Sequence, residues 1–259
     1  MSSPAMILAQ LIRADRGRAA EAPAAAVAQA LARFWADTGL AAHAAMTAQA
    51  ELAAHLLRLD APAPLLHGAA RTLLDETAIS SACLELAQRY GATESLPPTP
   101  SRREAAPDAE RVERRELVLG TLLLGTLRRG CIAATVESSC AREALEHCQE
   151  PAAREVLLQI EHGRARSAQL SWRFLGWALR AAHGAPGSAE LADQVRVAVL
   201  TALGTAAEPA PLTQHERQLL RHGVLGRGQR LQIEQRVLRE VVLPCMENAL
   251  ARAGASRTV

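Results

Sequence analysis

The feature that most constrains this chain is a helical period of apolar residues that runs almost its whole length and breaks only at proline and glycine clusters. Apolar side chains recur every three or four positions, and no stretch alternates apolar and polar residues as a half-buried strand would. The spacing predicts a first long helix from about Ala24 to Leu59, with a break near Thr38-Gly39. Asp60-Ala61-Pro62-Ala63-Pro64 ends it, because proline removes a helix donor. A second helix runs from about Leu65 to Tyr90, with Gly91 as its stop. Pro97, Pro98, Pro100 and Pro107 mark a long loop. A third helix is expected from about Ala109 to Cys148. A fourth starts at Pro151, a residue the first turn tolerates, and reaches about His183. Beyond Gly184-Ala185-Pro186-Gly187, helical segments are expected over about Ser188 to Leu203 and Thr213 to Ala253, the last interrupted near Gly223 to Gly228 and at Pro244.

Helix, short turn, helix, long crossover, helix, short turn, helix is the connectivity of a ferritin-like four-helix bundle. The crossover is needed because the second and third helices must run parallel. The expected fold is therefore all-α: a ferritin-like four-helix bundle with a long crossover between helices 2 and 3, plus extra N- and C-terminal helices. Residues 1–23 form an N-terminal helical extension, 24–184 the bundle, and 185–259 a C-terminal extension packing on it.

Composition narrows the function classes. Net charge is +2, with acidic and basic residues interleaved, and no basic block with interleaved aromatics points to nucleic acid. Arg102-Arg103 and Arg114-Arg115 sit among Glu104, Glu110, Glu113 and Glu116 and read as a solvated region. All 29 Lys+Arg residues are arginine, which we read as coding bias rather than an arginine-specific function. The cysteines, Cys83, Cys131, Cys140, Cys148 and Cys245, are odd in number and form no CxxC pair, so buried thiols are expected rather than disulfides. The first 20 residues lack a signal-peptide pattern, and Met6, Ile7, Leu8, Leu11 and Ile12 suit an amphipathic helix. With no apolar run of transmembrane length, a soluble cytoplasmic protein without a membrane partner is expected. Ser80-Ser81 and Ser138-Ser139 have no base at a readable spacing. The glycines of 223–228 follow no strand, so they do not make a phosphate loop.

Several segments, in order, carry a family resemblance. Ala42-His43-Ala44-Ala45 aligns with a Glu-His-Ala-Ser, and Asp75-Glu76-Thr77-Ala78-Ile79 with an Asp-Glu-x-x-His followed by Cys83 and Arg89-Tyr90-Gly91. Gly130-Cys131-Ile132-Ala133-Ala134-Thr135 aligns with Gly-Cys-Val-Gly-Glu-Thr, ahead of Ala144-Leu145-Glu146-His147. Gly163-Arg164-Ala165-Arg166-Ser167-Ala168-Gln169-Leu170 aligns with Asp-Glu-x-x-His-Ala-Glu-Leu, ahead of Trp172-Arg173-Phe174. From Trp35 to Phe174, and more weakly to Val241-Val242-Leu243-Pro244-Cys245, the chain resembles a bacterial family of ferritin-like domain proteins. Such bundles hold two metals with one Glu from each of two helices and a Glu-x-x-His from each of the other two, a donor set suited to iron or manganese.

The resemblance places the ligand positions at Ala42, Glu76, Ile79, Ala134, Arg164 and Ser167. Glu76 alone keeps a ligating side chain, and Arg164 is a permanent cation. Arg164 is expected to replace the metal charge by pairing with Glu76, since an unpaired buried carboxylate is costly or protonates. A displaced site is the alternative. Glu137 lies three residues after Ala134 and Glu161 three before Arg164, so both could meet one turn away, with His162 pointing about 100° off as a poor co-ligand. His43 reads as a hydrogen-bonded packing residue, and Trp172, Phe174 and Trp177 as core or interface packing.

Three functions follow from these residues. The first is a non-catalytic scaffold or partner-binding bundle with a degenerate di-iron site, needing no cofactor and engaging a protein partner or a second copy. The second is a di-iron or manganese oxidase, or iron-handling protein, relocated onto Glu76, Glu137 and Glu161. The third is a small-molecule binder using the core emptied at Ala42, Ala134 and Ser167.

Overall fold

The computed structural model describes residues 23–93, 113–184, 187–204 and 211–255. Every regular element among them is helical. The amphipathic N-terminal segment and most of the proline-rich crossover lie outside the described residues.

Helix α1 (Ala25–Arg58) is alanine-rich, a strong local helix signal, and buries Leu31, Trp35, Gly39 and Ala42 at spacings of three and four. It is not broken at Thr38-Gly39. The Thr38 hydroxyl instead donates to the Phe34 carbonyl one turn back, at 2.8 Å, and the helix continues. Its C-terminus reverses through Asp60 at φ 51°, a left-handed position. The Ala61 N–H reaches the Leu56 carbonyl and the Asp60 N–H reaches that of Leu57, which answers two free carbonyls. Helix α2 (Ala63–Arg89) ends the same way, with Gly91 in the left-handed position that the sequence anticipates.

The two helices run antiparallel. Moving up α1, Gly39, Met46 and Gln49 meet Ser80, Thr77 and Thr72 in descending order on α2. At Gly39 the backbones nearly touch, because an added Cβ would lie 3.1 Å from the Ser80 carbonyl oxygen. The Ser80 hydroxyl donates back to the Gly39 carbonyl at 2.9 Å.

The next rod consists of α3 (Glu113–Thr126), a π-helical stretch π1 (Leu127–Ala134) and α4 (Thr135–His147). Helix α5 (Pro151–Ala182) returns along it: Gly130 meets Ser171, and the Ser138 hydroxyl donates to the Glu161 carbonyl at 3.1 Å. An added Cβ at Gly130 would fall 1.8 Å from Ser171 Oγ, so the widened turn and its missing side chain together set this close approach. Helix α5 also lies antiparallel to α2, with Ile79 against Gly163 and Asp75 against Arg166. Since both neighbours oppose α5, α2 and the α3–α4 rod point the same way.

The remaining elements pack against these helices. They are α6 (Ser188–Ala202), α7 (Gln214–Arg221), α8 (Arg227–Val237), π2 (Leu238–Val242) and α9 (Leu243–Ala255). Thr213 and Glu216 form a reciprocal capping box at the start of α7. Tyr90 Oη lies 3.0 Å from His222 Nδ1 and joins the end of α2 to the end of α7. Pro244 does not interrupt the last helix. The Leu243 N–H bonds the Leu238 carbonyl five residues back, and this wider turn makes room for the ring before α9 continues.

Four cysteines are buried as expected; Cys245 is exposed, a correction, and all five are free thiols. Phe174 is fully buried, with Trp172 and Trp177 packed against the core around it.

Candidate functional site

The centre of the helical assembly holds one ionic cluster. Arg164, on α5, forms an ion pair with Glu76 of α2 through its Nη1 and Glu76 Oε1. On its other side, Arg164 Nε lies 2.7 Å from Glu137 Oε2 of α4, off the axis of its N–H. Glu76 is only 2% exposed and Arg164 11%, whereas Glu137 at 42% reaches solvent. One guanidinium therefore bridges a buried and a half-solvated carboxylate from two different helices. Helical register explains the convergence. The α2–α5 contacts that set Ile79 beside Gly163 bring Glu76 within reach of Arg164, and the α4–α5 contacts bring Glu137 to it from the opposite side.

The other aligned positions are closed to metal chemistry. Ala42, Ile79, Ala134 and Ser167 are 0%, 1%, 2% and 3% exposed. The Ile79 methyl fills the place a Cβ on Gly163 would occupy, at 2.8 Å. Two alanines and an isoleucine offer no donor atom, and the guanidinium stands among the carboxylates that would remain. This donor set does not fit a two-metal carboxylate centre.

Nor does Glu161 join Glu76 and Glu137 as the displaced arrangement requires. It accepts two hydrogen bonds from Arg142, at 3.0 and 2.8 Å, and lies 3.5 Å from His162. A neighbouring pair, Arg166 and Asp75, forms a fork of 2.7 and 2.8 Å across the α2–α5 seam. Sequence reasoning identified neither the Arg166–Asp75 fork nor Glu137 as the second partner of Arg164. The antiparallel register of the third and fourth helices carried the signal for Glu137.

Electrostatics distinguish the two ends of the cluster. Burial pushes the Glu76 carboxyl up from 4.5 to about 7, against the pull of Arg164, and the nearby Glu137 and Asp75 charges push the same way. Glu76 Oε2 has no hydrogen-bond partner, which leaves an oxygen able to hold that proton. Burial likewise raises the Cys83 thiol to about 12 and the Cys140 thiol to about 11, so neither is a thiolate nucleophile at neutral pH. His43, 8% exposed, has no partner at either ring nitrogen, in contrast to the hydrogen-bonded role expected for it.

Among the described residues, the cavities that border the bundle include these three. One of about 320 Å³ lies against Gln49, His55 and Arg129; one of about 780 Å³ separates α6 from α3 and π1. The third, about 290 Å³, opens beside Arg164 between α1, α4 and α8, and its wall includes Trp35, Glu137 and Arg230. Neither Ala42 nor Ala134 lines any of the three, so at both alanines the helices close in. Among the described residues a single group has metal-ligand proximity: Glu143, Glu146 and His147 on the exposed end of α4, with Arg236 already 3.4 Å from Glu143. No described helix is long and apolar enough to cross a membrane.

No family model matches this chain, and no curated protein or solved structure matches it.

Proposed function

We propose that the protein is a metal-free, non-catalytic helical bundle of ferritin-like topology, in which an arginine has replaced the di-iron centre and the assembly serves as a scaffold or partner-binding module. The single observation that carries this reading is the Glu76–Arg164–Glu137 bridge. A guanidinium there supplies the positive charge that a metal would supply, and five of the six aligned positions hold no metal-ligating carboxylate or imidazole. The parallel course of α2 and the α3–α4 rod supports the topology, since a simple up-down bundle would oppose them. Helix α6 supports a partner-facing role. It buries only Val195 and Val199 while Val197 and Leu200 stay 61% and 55% exposed.

Metal analysis of the full chain purified from iron-supplemented cells tests this reading. The expected result is far less than one iron or manganese per chain and no oxo-bridge absorption. About two irons per chain, the stoichiometry of a two-metal carboxylate site, would overturn it.

A further inference from the structure

We propose that the turn at residues 222–226 is an acid-released plug: protonation of His222 frees it from Tyr90 and opens the cavity between α1, α4 and α8. The turn joins α7 to α8 and is both irregular and enclosed. None of its five residues is helical, and every one is buried. Connecting segments seldom run inside, because their backbone polar groups then need protein partners. Here several are answered. The Gly223 and Val224 N–H groups donate to the carbonyls of Leu220 and Leu219, and the Gly226 N–H donates to Gln229 Oε1. The Arg221 carbonyl, just ahead of the turn, accepts from the N–H groups of Gln149 and Glu150 at 2.7 and 3.3 Å. At Gly223 φ is 83°, and an added Cβ would lie 2.7 Å from Leu157 Cδ1 and 3.4 Å from Cys148 Sγ. The turn therefore sits on Cys148, which is 4% exposed. Gly223 and Leu225 are also wall residues of the cavity beside Arg164.

His222 is the titratable part of the plug. It is 7% exposed, its Nδ1 lies 3.0 Å from Tyr90 Oη, and the two rings meet edge to face with centroids 5.8 Å apart. Burial holds the Tyr90 phenol well above its ordinary value, so its O–H persists through the neutral and acid range and donates to a bare Nδ1. A second proton on the imidazole fills Nδ1. Two donors then oppose each other, and a charge is enclosed. Burial resists that charge most and lowers the His222 pKa; Glu150 works against this shift and Arg221 adds to it. Arg89 on α2 and Cys148 in the α4–α5 turn flank Tyr90, and Arg154 of α5 holds the Cys148 carbonyl. Asp37 of α1, Glu137 of α4, Arg164 of α5 and Arg230 of α8 share the cavity wall with Gly223. Of these residue types, histidine alone ordinarily titrates between pH 5 and 8. The seated ring takes its proton below the ordinary 6.5, so the plug's hold is complete above about 6.5 and declines as pH falls. The proposal goes beyond the scaffold reading and does not rest on it, because thiol exposure and iron content are measured separately.

Cysteine reactivity in the full chain reads the plug directly. The probe is 4,4′-dithiodipyridine, a disulfide that thiols cleave even in mildly acid solution, forming a mixed disulfide and releasing 4-thiopyridone. Peptide mass spectrometry follows each cysteine. Exposed Cys245 is the internal reference, and Cys83, buried at the α1–α2 seam, is the control for general loosening. Between pH 7.5 and pH 5.5 the rate at Cys148 relative to Cys245 is expected to rise several-fold. One proton with an ordinary pKa near 6.5 limits the gain to about tenfold. The Cys83 ratio should stay level. His222→Gln keeps a hydrogen-bonding side chain but does not titrate, so its Cys148 ratio should be flat. Tyr90→Phe should raise the ratio already at pH 7.5. A Cys148 ratio that changes by less than about twofold overturns the proposal, as does an equal rise at Cys83 or an undiminished rise in His222→Gln. The parent alone also decides, should a variant not fold: a His222 imidazole NMR midpoint at or above 6.5 would show that the seated turn does not resist the proton.

Discussion

Arg164 on α5 and Glu76 on α2 form an ion pair in which the carboxylate is almost fully enclosed and its second oxygen has no partner. The arginine is held from its other side by Glu137. In so enclosed a site, deleting the arginine leaves a buried carboxylate without its counter-charge. Arg164→Ala is expected to cost about 3–5 kcal/mol of unfolding free energy near pH 8, where Glu76 is ionised. Replacing both partners with apolar residues, Glu76→Leu with Arg164→Met, should recover most of that loss, because a buried pair often gives little net stability over well-packed hydrophobes. Denaturant unfolding of the parent, the single and the double variants checks both statements. A change of less than about 0.5 kcal/mol in Arg164→Ala, the level of an ordinary surface substitution, would mean the pair does not hold the centre.

The Glu76 carboxyl also makes stability depend on pH. In the folded chain it holds its proton to about pH 7; in the unfolded chain it releases it near 4.5. Between those values the folded state binds more protons than the unfolded one, so stability from this group falls as pH rises. It is fully present below about 4.5 and lost once pH passes about 7. The difference of about 2.5 units corresponds to roughly 3 kcal/mol. Glu76→Gln should remove this slope. Thermal or denaturant unfolding of parent and variant across that window should show the parent losing stability relative to the variant as pH rises; parallel profiles would refute it. The Arg164→Ala penalty should shrink at the acid end of the same window, because a neutral Glu76 no longer needs a cation.

Local signals explain which parts of this architecture could be read in the sequence. The helix ends at Asp60, Gly91 and Gly184 follow from proline and glycine chemistry, and the structure places them within a few residues of expectation. The Arg164–Glu76 pair was legible because a lone buried carboxylate needs a counter-charge, and the arginine lies at a position that would share its centre. The breaks expected at Thr38-Gly39 and Pro244 are absent for two different reasons. Gly39 is retained for tertiary contact rather than local flexibility, and the extra width of π2 absorbs Pro244. Neither a close helix crossing nor a π turn leaves a periodicity signal. Trp35 and Arg230 are far apart in sequence, and their shared cavity depends on how α8 packs.

Gly39 tests that account of close crossing. A Cβ added there would lie 2.8 Å from Leu84 Cγ and 3.1 Å from the Ser80 carbonyl oxygen, and the carbonyl belongs to a helix backbone that cannot easily give way. Gly39→Ala is therefore expected to destabilise by about 1–3 kcal/mol through overpacking. In an open helix the same change would gain up to about 1 kcal/mol from propensity. Gly228, on α8, has nothing within 4 Å of an added Cβ and provides that control. Chemical denaturation should move the two alanine variants in opposite directions; a stabilised Gly39→Ala would mean that α1 and α2 are further apart than the Ser80–Gly39 hydrogen bond requires.

His43 lies on the turn beside Gly39, 8% exposed, with both ring nitrogens lacking partners. Imidazole always carries at least one N–H donor, so its burial here gives up hydrogen bonds to water without replacing them. A side chain of similar length with no strong polar atom should be preferred. His43→Met is expected to raise unfolding free energy by about 1 kcal/mol, the lower part of the range for an unanswered buried polar group. Methionine can also adapt to the irregular space left by the ring. The measurement is the denaturation midpoint at constant slope, so that a change in stability is separated from a change in compactness. A loss of about 1 kcal/mol or more would show instead that an ordered water answers the ring, since removing such a partner costs stability on that scale.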